Sequence, residues 1–580
     1  MGKAKPKATV SAAPAAPTAV SVTYDLFELP TAQHKAGLAG LLFQIRHMEG
    51  KKPTPPAIPK VLALTATSAT IEFTKDSVQC LFDDVYAADK VVLEVKSKWA
   101  NAKEFKPPED REEEVKDENG KPVMKDGKPV TKKVKYFFYE QVQPSGNAIR
   151  QYIKNVPEQW MKLWRDMLWA IPRGNPQTRK PYEERADVLP CGEGTATWED
   201  LLKAEKAKTN NEFRTDEVAG SLWLGAQAVN PESVPFEGRV EQTLLLHFWP
   251  LTAQVYAPQM VQPDGENEFV GYVLAIPEVA DLEGFLSDYP KLLSNLGKDI
   301  RGYRPAEAVI DMPAEGALSF LDHLAQLSGE KTTDADYNSV AYNLGSVDFL
   351  HLAKIGNNIK TLAAGRVAPR PGLLAGYLRI VGKAGTKPPY ANPLFRRGLM
   401  LALLEGKPWF QPFGKLFAEW DVSFFVPSDA PPSKLSWFWV DARKKVQEVI
   451  QAMPPAQNPD DPPKADDLLM MLIHRLTRTY LAARAKEKSG IDPEKFKEGD
   501  KIAWDKLPKD FHDARRAAGE SLFYEFRSRR DQAFVQHFAQ TFFATKQYVS
   551  EDHYTEIGRA LMTRTDDVKT LTLMALSANS

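Results

Sequence analysis

LPTAQHKAGLAGLLFQIRH, residues 29–47, has the pattern of a buried helix that contains two glycines. Thr31 follows Pro30 as a suitable N-cap residue. Apolar side chains recur at the i, i+3, i+4, i+7 spacing of a buried stripe: Leu38, Leu41, Leu42 and Ile45. Gly37 and Gly40 each disfavour the helix by roughly 1 kcal/mol relative to alanine, so their presence needs a reason.

The spacing of the two glycines suggests one. Gly37 and Gly40 share a helical face with Gln33, Gln44 and His47, because these positions are separated by three or four residues. This face is a shallow groove with polar ends, which lets another backbone come close. Two alternatives follow: the groove packs against a strand or helix of the same chain, or it contacts a partner protein or nucleic acid.

Length and composition indicate a globular protein. The chain has 580 residues, of which 43% are hydrophobic and 26% are charged, and its net charge is −1. That length corresponds to about three or four domains. The two cysteines, Cys80 and Cys191, lie too far apart in sequence for a close-spaced metal pair, so we expect no disulfide framework and no zinc ribbon.

Targeting signals are weak. No stretch approaches the length of a transmembrane helix, and residues 1–20 are basic and rich in Ala and Pro without an apolar core. We therefore expect a disordered tail over 1–20, a cytoplasmic location and no membrane contact.

Hydrophobic periodicity predicts an α+β fold. Residues 21–430 mix α and β elements, with strands in ALTATSATIEF, KVVLEVK, QTLLLHFWP and AQVYAP, and a strand followed by a helix in GYVLAIPEVADLEGFLSDYP. Residues 431–580 read as four long helices, at 434–452, 466–488, about 510–546 and 551–575. Four helices of this length predict a C-terminal four-helix bundle.

A projecting hairpin is predicted over about 105–140. Asn-Gly at 119–120 and Asp-Gly at 126–127 are strong turn signals. The segment is acidic before these turns and basic after them, where Lys132 and Lys133 lie. Either the two strands pair their opposite charges, or the lysines touch a nucleic-acid backbone.

The segment 350–407 has a large excess of positive charge, with ten basic residues and one acidic residue, Glu405. Such a surface predicts binding to phosphates. The basic residues assigned to this role are Lys354, Lys360, Arg366, Arg370, Arg379, Lys383, Lys387, Arg396 and Arg397. Asn357 and Asn358 are candidates for reading base edges, because an Asn amide can pair with a base through two hydrogen bonds.

Motifs for catalysis are missing. The sequence has no GxxxxGK[ST], GxSxG or HExxH, so nucleotide hydrolysis and the common hydrolase mechanisms lack support. We expect no catalytic residue, no metal and no cofactor. The enzymatic alternative is an RNA-processing or DNA nuclease that acts through His34, or through His512 in an isolated His-Asp pair.

YDLFELPTAQHKAGLAGLL and GYVLAIPEVADLEGFLSDYP, together with the helical C-terminus, resemble the large subunit of a type I CRISPR surveillance complex, Cascade. The resemblance is greatest to Myxan-type large subunits of some type I-B systems. It implies a non-catalytic subunit that recognises the protospacer-adjacent motif, helps to open duplex DNA and recruits the helicase-nuclease.

The partners implied by this resemblance are crRNA, target double-stranded DNA, the helicase-nuclease and the backbone, handle-capping and small subunits of Cascade. On this basis the opening helix contacts the crRNA handle or a neighbouring subunit. The residues expected to make that contact are Gln33, His34, Lys35, Gly37 and Gly40.

Overall fold

The structure is a computed structural model, and it describes most of the chain. The described residues are 18–99, 103–115, 122–125, 128–154, 157–174, 176–210, 212–218, 220, 222–224, 236–328, 343–356, 358–382, 386–427, 437–453, 464–498, 501–543 and 551–579. The first strand begins at Ala19, inside the predicted tail, and the rest of that tail to residue 17 lies outside the described residues.

An antiparallel sheet and two helices form the N-terminal part. The strands are β1 (Ala19–Asp25), β2 (Lys60–Leu64) and β3 (Ser68–Thr74), in the order β1-β3-β2, and the helices are α1 (Ala32–Glu49) and α2 (Lys75–Val85). Strand β1 alternates buried and exposed residues, as a strand with one covered face does. Thr31 caps α1 through its side chain, which accepts from the His34 amide, so the predicted N-cap is confirmed.

A second sheet contains the segment predicted as a hairpin. Its strands β4 (Ala88–Val95), β5 (Lys106–Glu114) and β8 (Thr131–Pro144) are antiparallel in the order β4-β8-β5, with the short pair β6 (Met124–Lys125) and β7 (Lys128–Pro129) between β5 and β8. Helices follow at α3 (Asn147–Arg150), α4 (Pro157–Ala170), α5 (Pro176–Ala186) and α6 (Gly192–Thr209). The Asn-Gly and Asp-Gly turns lie outside the described residues.

The central sheet has six strands among the described residues. After the pair β9 (Thr215–Glu217) and β10 (Glu237–Arg239) and helix α7 (Val240–Thr243) come β11 (Gln254–Val261), β12 (Asn267–Phe269), β13 (Tyr272–Val279), α8 (Leu282–Asn295), β14 (Ile300–Arg301), β15 (Arg304–Pro305), β16 (Val309–Ile310), α9 (Pro313–Ala325), β17 (Leu344–Ile355) and β18 (Asn358–Val367). The strand order is β12-β11-β13-β17-β18, and β16 also pairs with β11. The predicted strand and helix at β13 and α8 are confirmed, with Asp281 as the N-cap of α8.

From Leu373 onward the chain is mostly helical. Its helices are α10 (Leu373–Val381), α11 (Pro393–Glu405), α12 (Gln411–Glu419), α13 (Phe438–Gln451), α14 (Ala465–Ser489), α15 (Lys509–Ser528), α16 (Asp531–Phe542), α17 (Glu551–Thr563) and α18 (Thr565–Asn579), with a small strand pair, β19 (Lys497–Glu498) and β20 (Lys501–Ile502). The α+β fold class is confirmed. None of the helices in the described ranges is long and apolar enough to cross a bilayer.

Two of the four predicted C-terminal helices are each divided in the structure. The helix predicted at 510–546 breaks between α15 and α16, where Asp531 has a positive φ of 45°. The Lys569 ammonium donates to the carbonyls of Arg527 and Arg529. Because Lys569 comes from α18, a distant part of the chain satisfies the carbonyls at this break, and the local sequence alone gives little sign of it.

The glycine face of α1 packs inside the molecule. A Cβ at Gly37 would lie 2.2 Å from the Leu245 carbonyl oxygen, and a Cβ at Gly40 would lie 2.2 Å from that of Phe248. The expectation that these glycines let a partner or crRNA approach is therefore wrong. The close contact exists, but residues of the same chain fill it, as the first of the two alternatives proposed.

The segment that fills this groove is not the strand predicted for QTLLLHFWP. Leu244–His247 and Trp249–Leu251 form two short 3-10 turns and are buried. Such a segment leaves carbonyls that strand pairing would otherwise satisfy. Side chains donate to two of them instead: Trp164 to Pro250 and Tyr289 to Leu251, at 2.9–3.0 Å.

Arg396 is also buried, and its contacts are within the protein. Only 8% of its surface is exposed, its guanidinium lies 2.5 Å from the Asp311 carboxylate, and it donates to the carbonyls of Tyr390 and Ala391. It joins α11 to the start of α9, so its predicted role in gripping phosphates is wrong. Glu315 is buried nearby and accepts from the Asp311 amide at 2.6 Å.

We expect Gly40→Ala to destabilise the protein. Overpacking typically costs about 1–3 kcal/mol, and a Cβ against a fixed carbonyl belongs at the upper end of that range. The matched control is Gly558→Ala, since a Cβ at this helical position meets nothing within 4 Å. It should stabilise the helix by up to about 1 kcal/mol. Thermal unfolding of both variants checks this, and a Gly40→Ala protein as stable as the wild type would contradict the packing.

Glu315→Gln should make stability less dependent on pH. Burial, with the neighbouring Asp311, raises the pKa of Glu315 from its ordinary 4.5 to about 8. Because the pKa is raised in the folded state, the free energy of unfolding of the wild type decreases as the pH rises from 4.5 to about 8. Glutamine has no proton to lose, so the variant lacks this decrease. The melting temperature of the variant relative to wild type should therefore increase from pH 5 to pH 8. A difference that is constant with pH would refute this assignment.

Candidate nucleic-acid interface

The basic segment 350–407 spans two kinds of structure. Its first part is the hairpin β17–β18 at the edge of the central sheet, and its second part lies on α10, α11 and the loops around them. At the tip of the hairpin Lys354, Asn358 and Lys360 are exposed. Gly356 makes the turn with a φ of +63°, which glycine adopts without strain. Asn357 lies outside the described residues.

The register of the hairpin places its two lysines on opposite faces. Lys354 pairs with Ile359, whereas Lys360 pairs with Ala353. Directly opposed residues share a face and successive residues alternate, so the two ammonium groups lie on the two sides of the ribbon. Neither lysine has an ion pair among the described residues. The tip can therefore offer a free cation to phosphates on either side.

Arg366 stands at the base of the same hairpin and is already paired. Its guanidinium binds Asp348 at 2.7 Å and lies 3.5 Å from the Glu278 carboxylate. Six residues separate it from Lys360, a distance of about 20 Å along a strand. The carboxylates that pair with Arg366 thus lie outside residues 350–407: Asp348 is on β17 and Glu278 is on β13.

Arg370 has a structural contact as well. Its guanidinium donates to the carbonyls of Leu403 and Leu404, in the last turn of α11, where a cation is favourable. Arg379 and Lys387 are exposed, on and after α10, and Lys383 lies outside the described residues.

Arg397 lines a cavity of about 880 Å³ between α11, α12 and α18. Both lysines and carboxylates line it, and Lys407 pairs with Glu405 at 2.8 Å. The cradle stays a prediction: Arg366 and Arg370 line one cavity, and Leu401 and Glu405 are shared between that cavity and the one at Arg397. Within the described residues, Lys354 and Lys360 at the hairpin tip are the basic side chains of this segment that lie on the central sheet and have no ion pair.

Lys132 and Lys133 lie on β8 directly opposite Glu113 and Glu112 of β5. Glu113 also binds Lys96, the residue after β4, at 2.5 Å. Opposite charges across a strand pair stabilise the pairing, which is the first of the two interpretations given for this segment. Contact of these lysines with nucleic acid remains a prediction.

The polar residues at the start of α1 have different surroundings. The Lys35 ammonium binds Glu278 at 2.9 Å, and the His34 ring bonds with the Thr31 hydroxyl at 2.7 Å. Burial lowers the pKa of His34 to about 4. The amide of Gln33, in contrast, is buried, has no hydrogen-bond partner within the described ranges, and lines a cavity of about 400 Å³.

Trp223, Asp348 and Arg366 share that cavity with Gln33. Gln33 is consequently the one member of the predicted crRNA contact whose hydrogen-bonding groups face an open space in the described part of the chain. Because Arg366 lies at the base of the hairpin and lines this cavity, the cavity is next to the base of the hairpin.

His512 lies in a second polar cavity on the C-terminal helices, which sequence reasoning missed. His474, Arg478 and Arg515 line it together with His512. The available signal was spacing, since His474 and Arg478 are one turn apart on α14 and His512 and Arg515 are one turn apart on α15. Among the described residues, no group of three or more His, Cys, Asp or Glu side chains could hold a metal ion.

Comparison with protein families covers both halves of the chain. Residues 58–334 match the type I-B CRISPR Cas8b N-terminal domain, and residues 344–579 match the type I-B CRISPR Cas8b C-terminal domain. No curated protein matches the chain. The resemblance to the large subunit of a type I-B Cascade is thus confirmed by two independent matches in the expected order. The chain belongs to the Cas8b family, the large subunits of type I-B CRISPR Cascade complexes.

Proposed function

We propose that this Cas8b protein recognises the protospacer-adjacent motif in duplex DNA through the tip of the β17–β18 hairpin. The observation that carries the proposal is the pair of exposed lysines, Lys354 and Lys360, on opposite faces of a two-stranded ribbon. A β-ribbon fits the major groove of DNA, where cations on its sides can reach phosphates. Asn358, beside the turn, is the candidate reader of a base edge.

The base of the hairpin supports this role. Arg366, Asp348, Glu278 and Lys35 form a charged network that joins β18, β17, β13 and α1. Hydrogen bonds from Ser346 and Lys35 outweigh burial and keep the pKa of Glu278 below its ordinary value, so this carboxylate stays ionised. Rigid attachment at the base lets the tip hold its position when it meets DNA, because less freedom is lost on binding.

The remaining functions follow the family resemblance. Cascade membership implies crRNA and other Cas proteins as partners. We propose the cavity at Gln33 as the place where this chain contacts the crRNA handle, since an unsatisfied buried amide gains a hydrogen bond from a ligand. Opening of the duplex and recruitment of the helicase-nuclease complete the proposed role. A nuclease mechanism through His34 is disfavoured, because its low pKa and buried position suit a structural contact.

The double variant Lys354→Ala/Lys360→Ala tests the hairpin. In the assembled complex we expect weaker binding to every duplex sequence, and a salt dependence lower by about two units, one for each lost phosphate contact. Electrophoretic mobility shifts over a range of salt concentrations measure both. The control is Lys291→Ala on α8, an exposed lysine paired with Asp288, which should change neither quantity. Unchanged affinity and slope in the double variant would rule the hairpin out.

Asn358→Ala separates base reading from phosphate binding. We expect this variant to keep its salt dependence and to lose about 1–3 kcal/mol of discrimination between duplexes that differ at one motif position. The same binding assay with a panel of motif variants measures the loss. Equal loss on all sequences would make Asn358 a phosphate contact, and cleavage of the DNA by the complex alone would support the nuclease alternative.

A further inference from the structure

The cavity that contains His512 has an unusual excess of positive charge. Its volume is about 560 Å³, and it opens between α13, α14, α15 and the end of α18. Four arginines line it, from three helices: Arg443, Arg478, Arg515 and Arg516. Among the described lining residues, Asp513 is the one carboxylate, and it is 3.3 Å from Arg516.

Helix geometry directs these groups to one place. Arg478 follows His474 by one turn of α14, and Arg515 follows His512 within one turn of α15, so each pair shares a face. On α14, Leu472 lies on the side away from His474 and Arg478 and is 1% exposed. On α15, Arg515 lies on the buried stripe itself, because Leu522 follows it by two turns and is 4% exposed. Arg515 therefore lines the cavity from the inner side of its helix.

The surroundings of Arg515 give the strongest indication of a ligand. Its Nε atom is buried and has no hydrogen-bond partner among the residues that the structure describes, and one terminal nitrogen donates to the Asn579 side chain at 3.3 Å. Its guanidinium carbon lies 5.0 Å from the centre of the Trp504 ring, and that of Arg478 lies 4.9 Å from the same centre. Two guanidinium groups therefore meet on a single indole, next to a donor that no described residue satisfies.

The charges in this cavity oppose one another. Burial, together with Arg478 and Arg443, lowers the pKa of Arg515 to about 10, and burial with the same group of arginines lowers that of His474 to about 4. Like charges held together without an anion cost free energy, and a cluster kept only for stability gains more from apolar side chains of similar size. An anion in the cavity would reverse the sign of this interaction.

We propose that this cavity binds a phosphate group, held by Arg478 and Arg515 and supported by the neighbouring basic side chains. Guanidinium groups match phosphate geometry through paired hydrogen bonds. The cavity has room for a pyrophosphate or a mononucleotide, and a duplex is too wide for it. The phosphate belongs either to a free small molecule or to the end of a single nucleic-acid strand, and the chemistry of recognition is the same.

The first test uses the full chain and pyrophosphate. Pyrophosphate should raise the melting temperature of the wild type above that in chloride of equal ionic strength. Arg515→Met should be at least as stable as wild type without the ligand, because it removes a repelling charge, and should bind pyrophosphate about tenfold or more weakly. Arg478→Ala, at an exposed position, should weaken binding similarly and serves where Arg515→Met fails to fold.

The matched control is Arg484→Ala on the same helix. Arg484 is exposed and paired with Glu487 at 2.7 Å, so its loss should leave the response to pyrophosphate unchanged. A wild type that pyrophosphate does not stabilise, or an Arg478→Ala variant that responds as the wild type does, would overturn the proposal. Neither result depends on the hairpin, so this test and that of motif recognition can fail separately.

Two single-stranded DNA oligonucleotides of one sequence distinguish the sources of the phosphate. One carries a 5′-phosphate and the other a 5′-hydroxyl. Tighter binding of the phosphorylated strand by the wild type, lost in Arg478→Ala and competed by pyrophosphate, supports a strand end as the ligand. Equal binding of both strands, with the pyrophosphate response retained, supports a free phosphate compound.

Discussion

The close approach of α1 to the irregular segment 244–252 is the constraint on which the fold depends. A helix meets a buried backbone at this distance only where it has no side chains, and Gly37 and Gly40 provide that opening one turn apart. The Thr252 hydroxyl donates to the Ala36 carbonyl at 2.9 Å, which fixes the segment along the helix. The helical propensity lost at two glycines is small beside the apolar surface that this contact buries.

The same contact explains how the hairpin is held. Helix α1 packs on β13, β13 pairs with β17, and β17 pairs with β18, so the order of the sheet transmits the position of α1 to the hairpin. Lys35 and Arg366 reach Glu278 from opposite ends of this series. Packing and charge therefore fix the base of the ribbon, whereas its tip extends beyond the network to solvent.

Local signals predicted much of this structure. The Thr31 and Asp281 caps, the strand before α8 and the helical C-terminus depend on residues a few positions apart, which the sequence shows directly. Contacts between distant residues were not predictable in this way. Arg396 finds Asp311 across 85 positions, and Arg366 finds Asp348 outside the segment in which its charge was counted. A count of charge along the chain cannot tell an exposed cation from one that a neighbouring strand has neutralised.

The two kinds of cationic site in this protein suit different binding tasks. Lysines at the hairpin tip are solvated and flexible, so they can follow a phosphate backbone without fixing its geometry. Arg478 and Arg515 are positioned against Trp504 before any ligand arrives, and a site in which donors are already oriented loses less entropy on binding. A hairpin that must sample many duplexes benefits from the first arrangement, since weak contacts with phosphates permit rapid dissociation. The cavity on the C-terminal helices has the opposite property, because an anion that enters it relieves the repulsion among its arginines, which favours a compact and highly charged group over an extended strand.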